Sequence, residues 1–129
     1  MCRSDSQYLL KTYSCLIDSI DSLIIKFKEF NKIDKACYFT AYILLDVYYS
    51  VNKPLWRDKN NLNFLTKLEN RACEFFEKYK DLWLKCSQKM VCEISQDLRK
   101  KTVSEGMLLE ELTINQWLNK IVTDYSNKK

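Results

Sequence analysis

The sequence predicts an all-α fold, a compact bundle of four to five helices with the second, about residues 35–51, at its centre. Three observations predict it. The chain of 129 residues has one glycine and one proline, the residues that tight turns and strand ends usually need. Apolar residues recur at helical spacing along most of its length. The second apolar stretch has almost no polar face, which is the mark of a helix surrounded by others.

The first helix spans about 6–30. Ser4, Asp5 and Ser6 are all competent N-caps. Leu9, Tyr13, Leu16, Ile20, Leu23, Phe27 and Phe30 are spaced alternately four and three apart, an a/d seam over three heptads. Leu10, Ile17 and Ile24 form a second row beside it. So wide a stripe suits a helix packed on two neighbours. Asn31 to Asp34 makes the break, with Asp34 as cap.

In the second helix Ala36–Phe39, Ala41–Leu45 and Val47–Tyr49 are apolar. Asp46 is its notable polar residue, either at a solvated edge or lysine-paired, or else an acid buried at a partner groove. Pro54 ends the helix, because proline disfavours α geometry in the residue before it. The stretch 55–61 is the longest expected loop. From 61 to 101 the period holds throughout, through Leu65, Leu68, Ala72, Phe75, Phe76, Tyr79, Leu82, Trp83, Cys86, Met90, Ile94 and Leu98. One helix of that length would be unusual, so a break or kink is expected near 78–81. A short loop at 102–106 holds Gly106. Thr113 and Gln116 fit a capping box that opens a final helix, and 126–129 reads as a polar tail. The whole of 1–129 reads as one helical domain.

The absence of histidine removes the usual general base and the commonest metal ligand. The pairs Asp18/Asp21 and Glu74/Glu77 are i, i+3 beside lysines, as on ordinary exposed helix faces. No Gly-rich phosphate loop or calcium loop occurs. The reading is non-enzymatic, with no cofactor and no metal. The six cysteines contain no C-x-x-C pair and read as reduced, small apolar residues. No run approaches the roughly 18–20 apolar residues of a membrane span, and the polar start of the chain does not resemble a signal peptide. An intracellular protein, in cytoplasm or nucleus and not secreted, is expected.

Three tryptophans and eight tyrosines exceed what a small bundle needs, and such residues are favoured at binding hot spots. The expected function is a protein–protein interaction module, an adaptor or assembly subunit. Its partner is another protein, such as a helical peptide segment, held in an interhelical groove or on an exposed aromatic face. The heptad seam also allows a homo-oligomer. The candidate partner-binding residues are Trp56, Arg57, Trp83, Lys85 and Lys89. Trp56 lies in a polar loop, and Leu82-Trp83-Leu84 cannot all face one core. A lysine-rich face from Lys78 to Lys101, with Lys85 and Lys89 i, i+4, offers nucleic acid as the less favoured partner. Acidic residues interleave with those lysines, as on a solvated mixed-charge face. A further alternative is a small viral or effector protein that mimics a host helical fold.

The tract Phe27-Lys28-Glu29-Phe30-Asn31-Lys32-Ile33-Asp34-Lys35, followed by Tyr38-Phe39-Thr40-Ala41-Tyr42-Ile43-Leu44-Leu45-Asp46-Val47, resembles microtubule-interacting-and-trafficking (MIT) type modules. These belong to the endosomal-sorting machinery and its associated deubiquitinases. The likeness covers roughly positions 13–80 and implies a small helical hairpin or bundle that binds short helical peptides between its helices. The chain departs from that pattern in having about 50 further helical residues.

Overall fold

The computed structural model describes residues 2–51, 62–102 and 114–127. Every secondary-structure element among them is helical: α1 (Cys2–Glu29), α2 (Ile33–Val51), α3 (Leu62–Lys85), α4 (Gln88–Thr102) and α5 (Ile114–Asn127). Helix α2 packs against all four others. Twelve of its residues are buried, from Ala36 to Val51. Thr40 is fully buried among them, and its hydroxyl is satisfied by donating to the Ala36 carbonyl one turn back, at 2.8 Å.

The α1–α2 connection shows how a chain so poor in glycine turns. Asn31 adopts φ 57°, the left-handed conformation that asparagine tolerates best after glycine. The Asn31 N–H donates to the Lys28 carbonyl at 3.1 Å, and the Lys32 N–H to the Phe27 carbonyl at 2.7 Å. These two bonds are a Schellman C-cap. The Lys32 carbonyl accepts the first bond of α2, from the Ala36 N–H at 3.1 Å. Lys32 is therefore the N-cap residue, and the expected cap Asp34 lies inside the first turn. Its carboxylate faces the positive end of the helix dipole there.

The stretch 61–101 is interrupted twice. Tyr79 has φ −118° and ψ 26°, a kink inside α3. The full break comes at Cys86 and Ser87. Ser87 N-caps α4: its Oγ accepts from the Met90 N–H at 3.1 Å and its carbonyl from the Val91 N–H at 3.1 Å. Helix α5 runs to Asn127, two residues into the expected polar tail. The loop at 102–106 and the Thr113 cap lie outside the described residues.

The face that α1 buries is rotated from the expected seam. Ile17, Ile20 and Ile24 are buried, whereas Leu23 is 38% exposed and Phe30 71%. Ile17 and Ile24 of the second row thus join Ile20 of the first in the core. The reason is that α1 must face both α2 and α3, and the midline between two neighbours runs beside an a/d seam.

Ion pairs and indole bonds set the helix directions. Arg71 Nη2 donates to Asp18 Oδ1, and Lys78 Nζ donates to both Asp21 carboxylate oxygens at 3.0 and 3.1 Å. Residues 18 and 21 of α1 therefore ascend together with 71 and 78 of α3, so α1 and α3 run parallel. Across α3 and α5, Trp117 Nε1 donates to Glu69 Oε2 at 2.9 Å and Trp83 Nε1 to Asn115 Oδ1 at 3.3 Å. Both long indoles thus bury their rings and keep a partner for the N–H.

Candidate functional site

Four rings form a connected strip along the seam between α1 and α2. Phe27 stacks on Phe39 with centroids 5.6 Å apart. Phe39 meets Tyr38 edge-on at 5.4 Å, and Tyr38 stacks on Tyr42 at 6.2 Å. Each separation lies within the range where ring pairs attract beyond their area burial. The Lys35 ammonium lies 5.8 Å from the Phe27 ring centre. Phe27, Phe39 and Tyr42 are half-buried, Tyr38 is 40% exposed, and Leu23 on α1 is similarly open. Among the described residues the strip sits at the surface because α3 packs on both α1 and α2 and α4 packs on α2, which leaves the outer side of the α1–α2 seam uncovered by them.

Farther along this seam the Tyr13 hydroxyl donates to Asp46 Oδ1 at 3.5 Å and hydrogen-bonds Ser50. Burial, then the negative charge of Asp46, pushes the Tyr13 hydroxyl up to about 12. Asp46 is half-buried at the seam and accepts from the Tyr13 hydroxyl.

A second polar cluster lies between α1 and α3. The Tyr79 hydroxyl joins Lys78 on Asp21. Burial favours the neutral acid, but hydrogen bonds from Tyr79 and Lys78 and the charges of Lys78 and Arg71 outweigh it and hold the Asp21 carboxyl low. Burial, then the hydrogen bond to Asp21 and its negative charge, pushes the Tyr79 hydroxyl well above its ordinary value. These pairs join α1 to α3. The hollow they line holds about 150 Å³, and one between α3 and α5 about 250 Å³. Both fall below the roughly 300–1,000 Å³ of a small-molecule site, whereas an open hollow at the α1–α2 turn, lined by Asn31 to Lys35, holds about 560 Å³. Among the described residues no group of three His, Cys, Asp or Glu side chains is placed to hold a metal ion.

A thiol pair meets where α2 starts and α3 ends. Cys86 Sγ donates to the Cys37 carbonyl at 3.3 Å. Burial, then the neighbouring Cys37, pushes the Cys86 thiol up to about 12, and burial raises Cys37 as well. Raised thiols are poor nucleophiles at neutral pH. Cys37 and Cys73 are buried as small apolar residues, whereas Cys15 and Cys92 are exposed free thiols.

Of the sequence-derived candidates, Trp83, Lys85 and Lys89 fall among the described residues and do not form one surface there. Trp56 and Arg57 lie outside the described residues. Trp83 is only 8% exposed and bonded to Asn115, so it joins α3 to α5 and offers no surface ring. The apolar triplet is resolved by its third member, since Leu82 is buried and Leu84 is 72% exposed. Lys85 and Lys89 are exposed, but they do not share one helix face. They flank the break at Cys86 and Ser87, which ends one helix and starts another. Lys78 is engaged by Asp21.

Phe27, Tyr38, Phe39 and Tyr42 escaped the sequence reading as a site. A signal for them existed: a helix apolar on every side needs neighbours on every side, and a small bundle supplies too few. No family model, no curated protein and no solved structure matches the chain. No helix among the described residues is long and apolar enough to cross a membrane.

Proposed function

We propose that the protein is a non-enzymatic interaction module whose α1–α2 seam receives a short amphipathic helix of a partner protein. The observation that carries this is the connected ring strip Phe27–Phe39–Tyr38–Tyr42, open to solvent at Tyr38 and flanked by Leu23. Aromatic residues ordered by mutual stacking lose little further entropy on binding, and tyrosine is enriched at hot spots. Two helices with an apolar furrow between them suit the i, i+3, i+4, i+7 anchors of an amphipathic helix. Lys26 and Lys35 are exposed beside the strip, which favours acidic residues on the partner's flanks. The MIT-type resemblance of 13–80 implies the same mode of binding, and the four-to-five-helix bundle with a central α2 is its scaffold.

The test is photo-crosslinking from position 38 in the source cell, with exposed Thr123 on α5 as the control position. A protein captured only from position 38 is then purified and titrated. Tyr38→Asp and Leu23→Asp replace exposed residues, so helicity should persist while affinity falls at least ten-fold. Equal affinity of both variants and the parent chain would refute the seam as the docking site.

A further inference from the structure

Phe30 and Leu84 are the two most exposed large apolar side chains among the described residues. They stand at the same end of the bundle. Because α1 and α3 run parallel, with 18 and 21 beside 71 and 78, the end of α1 is level with the end of α3. The contact between Cys86 and Cys37 ties the start of α2 to that level too. This end is thus built from the α1–α2 turn, the α3–α4 break and the start of α5, where Asn115 bonds Trp83.

The same end carries the charge. Residues 26–35 hold Lys26, Lys28, Lys32 and Lys35 against Glu29 and Asp34, and residues 80–89 hold Lys80, Lys85 and Lys89 against Asp81. Together these two segments amount to a net +4. All seven lysines are exposed. Two helix C-termini, of α1 and α3, and three N-termini, of α2, α4 and α5, meet at this end, the last because Asn115 bonds Trp83, so the partial charges of the helix ends leave a small positive excess.

We infer that this end of the bundle docks on an anionic lipid bilayer as a peripheral surface. Charge complementarity selects an anionic partner. The aliphatic Leu84 selects a bilayer over a nucleic acid, whose phosphates and bases make no use of such a side chain, and Phe30 serves at the same membrane boundary. Phe30 sits where the Schellman turn reverses the chain, so it projects from a turn and not from a furrow that could receive a peptide. Phe30 and Leu84 enter the boundary between headgroups and acyl chains, while the lysines lay their stems along it and keep their ammonium groups among the anionic headgroups.

The experiment is co-sedimentation of the full chain with phosphatidylcholine vesicles, with and without about a third phosphatidylserine, at physiological salt. Binding should require phosphatidylserine. Lys28→Gln with Lys32→Gln should weaken it about 25-fold, at about five-fold per lysine near an anionic surface. Phe30→Ala should weaken it about ten-fold. Lys11→Gln with Lys67→Gln removes the same charge from the far end of α1 and α3 and should change it less than two-fold. All these positions are exposed, and circular dichroism confirms each variant's helicity. Three results would overturn the inference: no phosphatidylserine-dependent binding, equal weakening by the far-end pair, or an unchanged Phe30→Ala with single-stranded DNA displacing the vesicles.

Discussion

With no histidine in the chain, no side-chain type present has an ordinary pKa between about 5 and 8, so stability should stay level from pH 5.5 to 8. Above pH 9 it should fall, because four buried or half-buried acids keep their protons longer in the folded state than in the unfolded chain. Cys86 is raised from 9.0 to about 12 and Tyr13 from 10.0 to about 12, with Tyr79 and Cys37 raised as well. A group of this kind contributes stability in full below its unfolded pKa and loses it as pH climbs toward the folded one. At pH 10.5 the thiol of Cys86 accounts for about 2 kcal/mol of lost stability, and the tyrosines add a smaller loss. Cys86 and Tyr13 are partly exposed, and solvent screening brings the sum to roughly 2–3 kcal/mol. Urea unfolding followed by circular dichroism, in reductant, at half-unit steps from pH 5.5 to 10.5 measures it. Cys86→Ala should recover about 1–2 kcal/mol of the alkaline loss. A decline already between pH 6 and 8, no decline by 10.5, or an identical decline in Cys86→Ala would refute the reasoning.

On the acid side, the lowered Asp21 stabilises the fold above its unfolded value of 3.8, and that contribution is lost as pH falls through the lower folded value. Asp21→Asn should flatten the stability profile below pH 4, read by thermal melts from pH 2 to 5. Ser87→Ala removes the α4 cap and should cost about 1 kcal/mol in urea unfolding, with Ser87→Gly costing only a few tenths; unchanged stability in Ser87→Ala would show that the Oγ bond to Met90 contributes nothing. Trp117→Phe keeps most of the ring but leaves Glu69 without its indole donor. It should destabilise by about 1–3 kcal/mol, and Glu69→Gln, which still accepts from the indole, by less. Asn31→Val should cost about 1–2 kcal/mol, because a β-branched residue resists the left-handed conformation, whereas Asn31→Gly should be neutral or stabilising in the same assay.

Helical character was legible because it is a local property. The period of apolar residues, the scarcity of glycine and proline and the apolar girth of α2 each follow from which side chains stand one turn apart. They placed α2 within two residues of its observed start and at its observed end. The Ser87 cap was legible in principle, as a serine before an apolar-periodic run, but continuous periodicity from 61 to 101 masked it. The surface strip was less legible. Tyr38 and Trp83 are both aromatic residues on apolar helices, and nothing in their neighbours' identities says that one is open and the other closed.

By itself the sequence determined an all-helical chain with α2 as its most apolar helix, because hydrogen bonding within a helix and the match of apolar period to helical pitch need no distant partner. Tertiary structure alone decided which stripe of α1 is buried, that Trp83 turns inward to Asn115 and Leu84 outward, and that two lysine-rich segments fifty residues apart share one end. Those outcomes depend on which helices become neighbours and in which direction they run. That choice comes from contacts between residues far apart in the chain, such as Asp21 with Lys78 and Glu69 with Trp117, and a local pattern carries no trace of them.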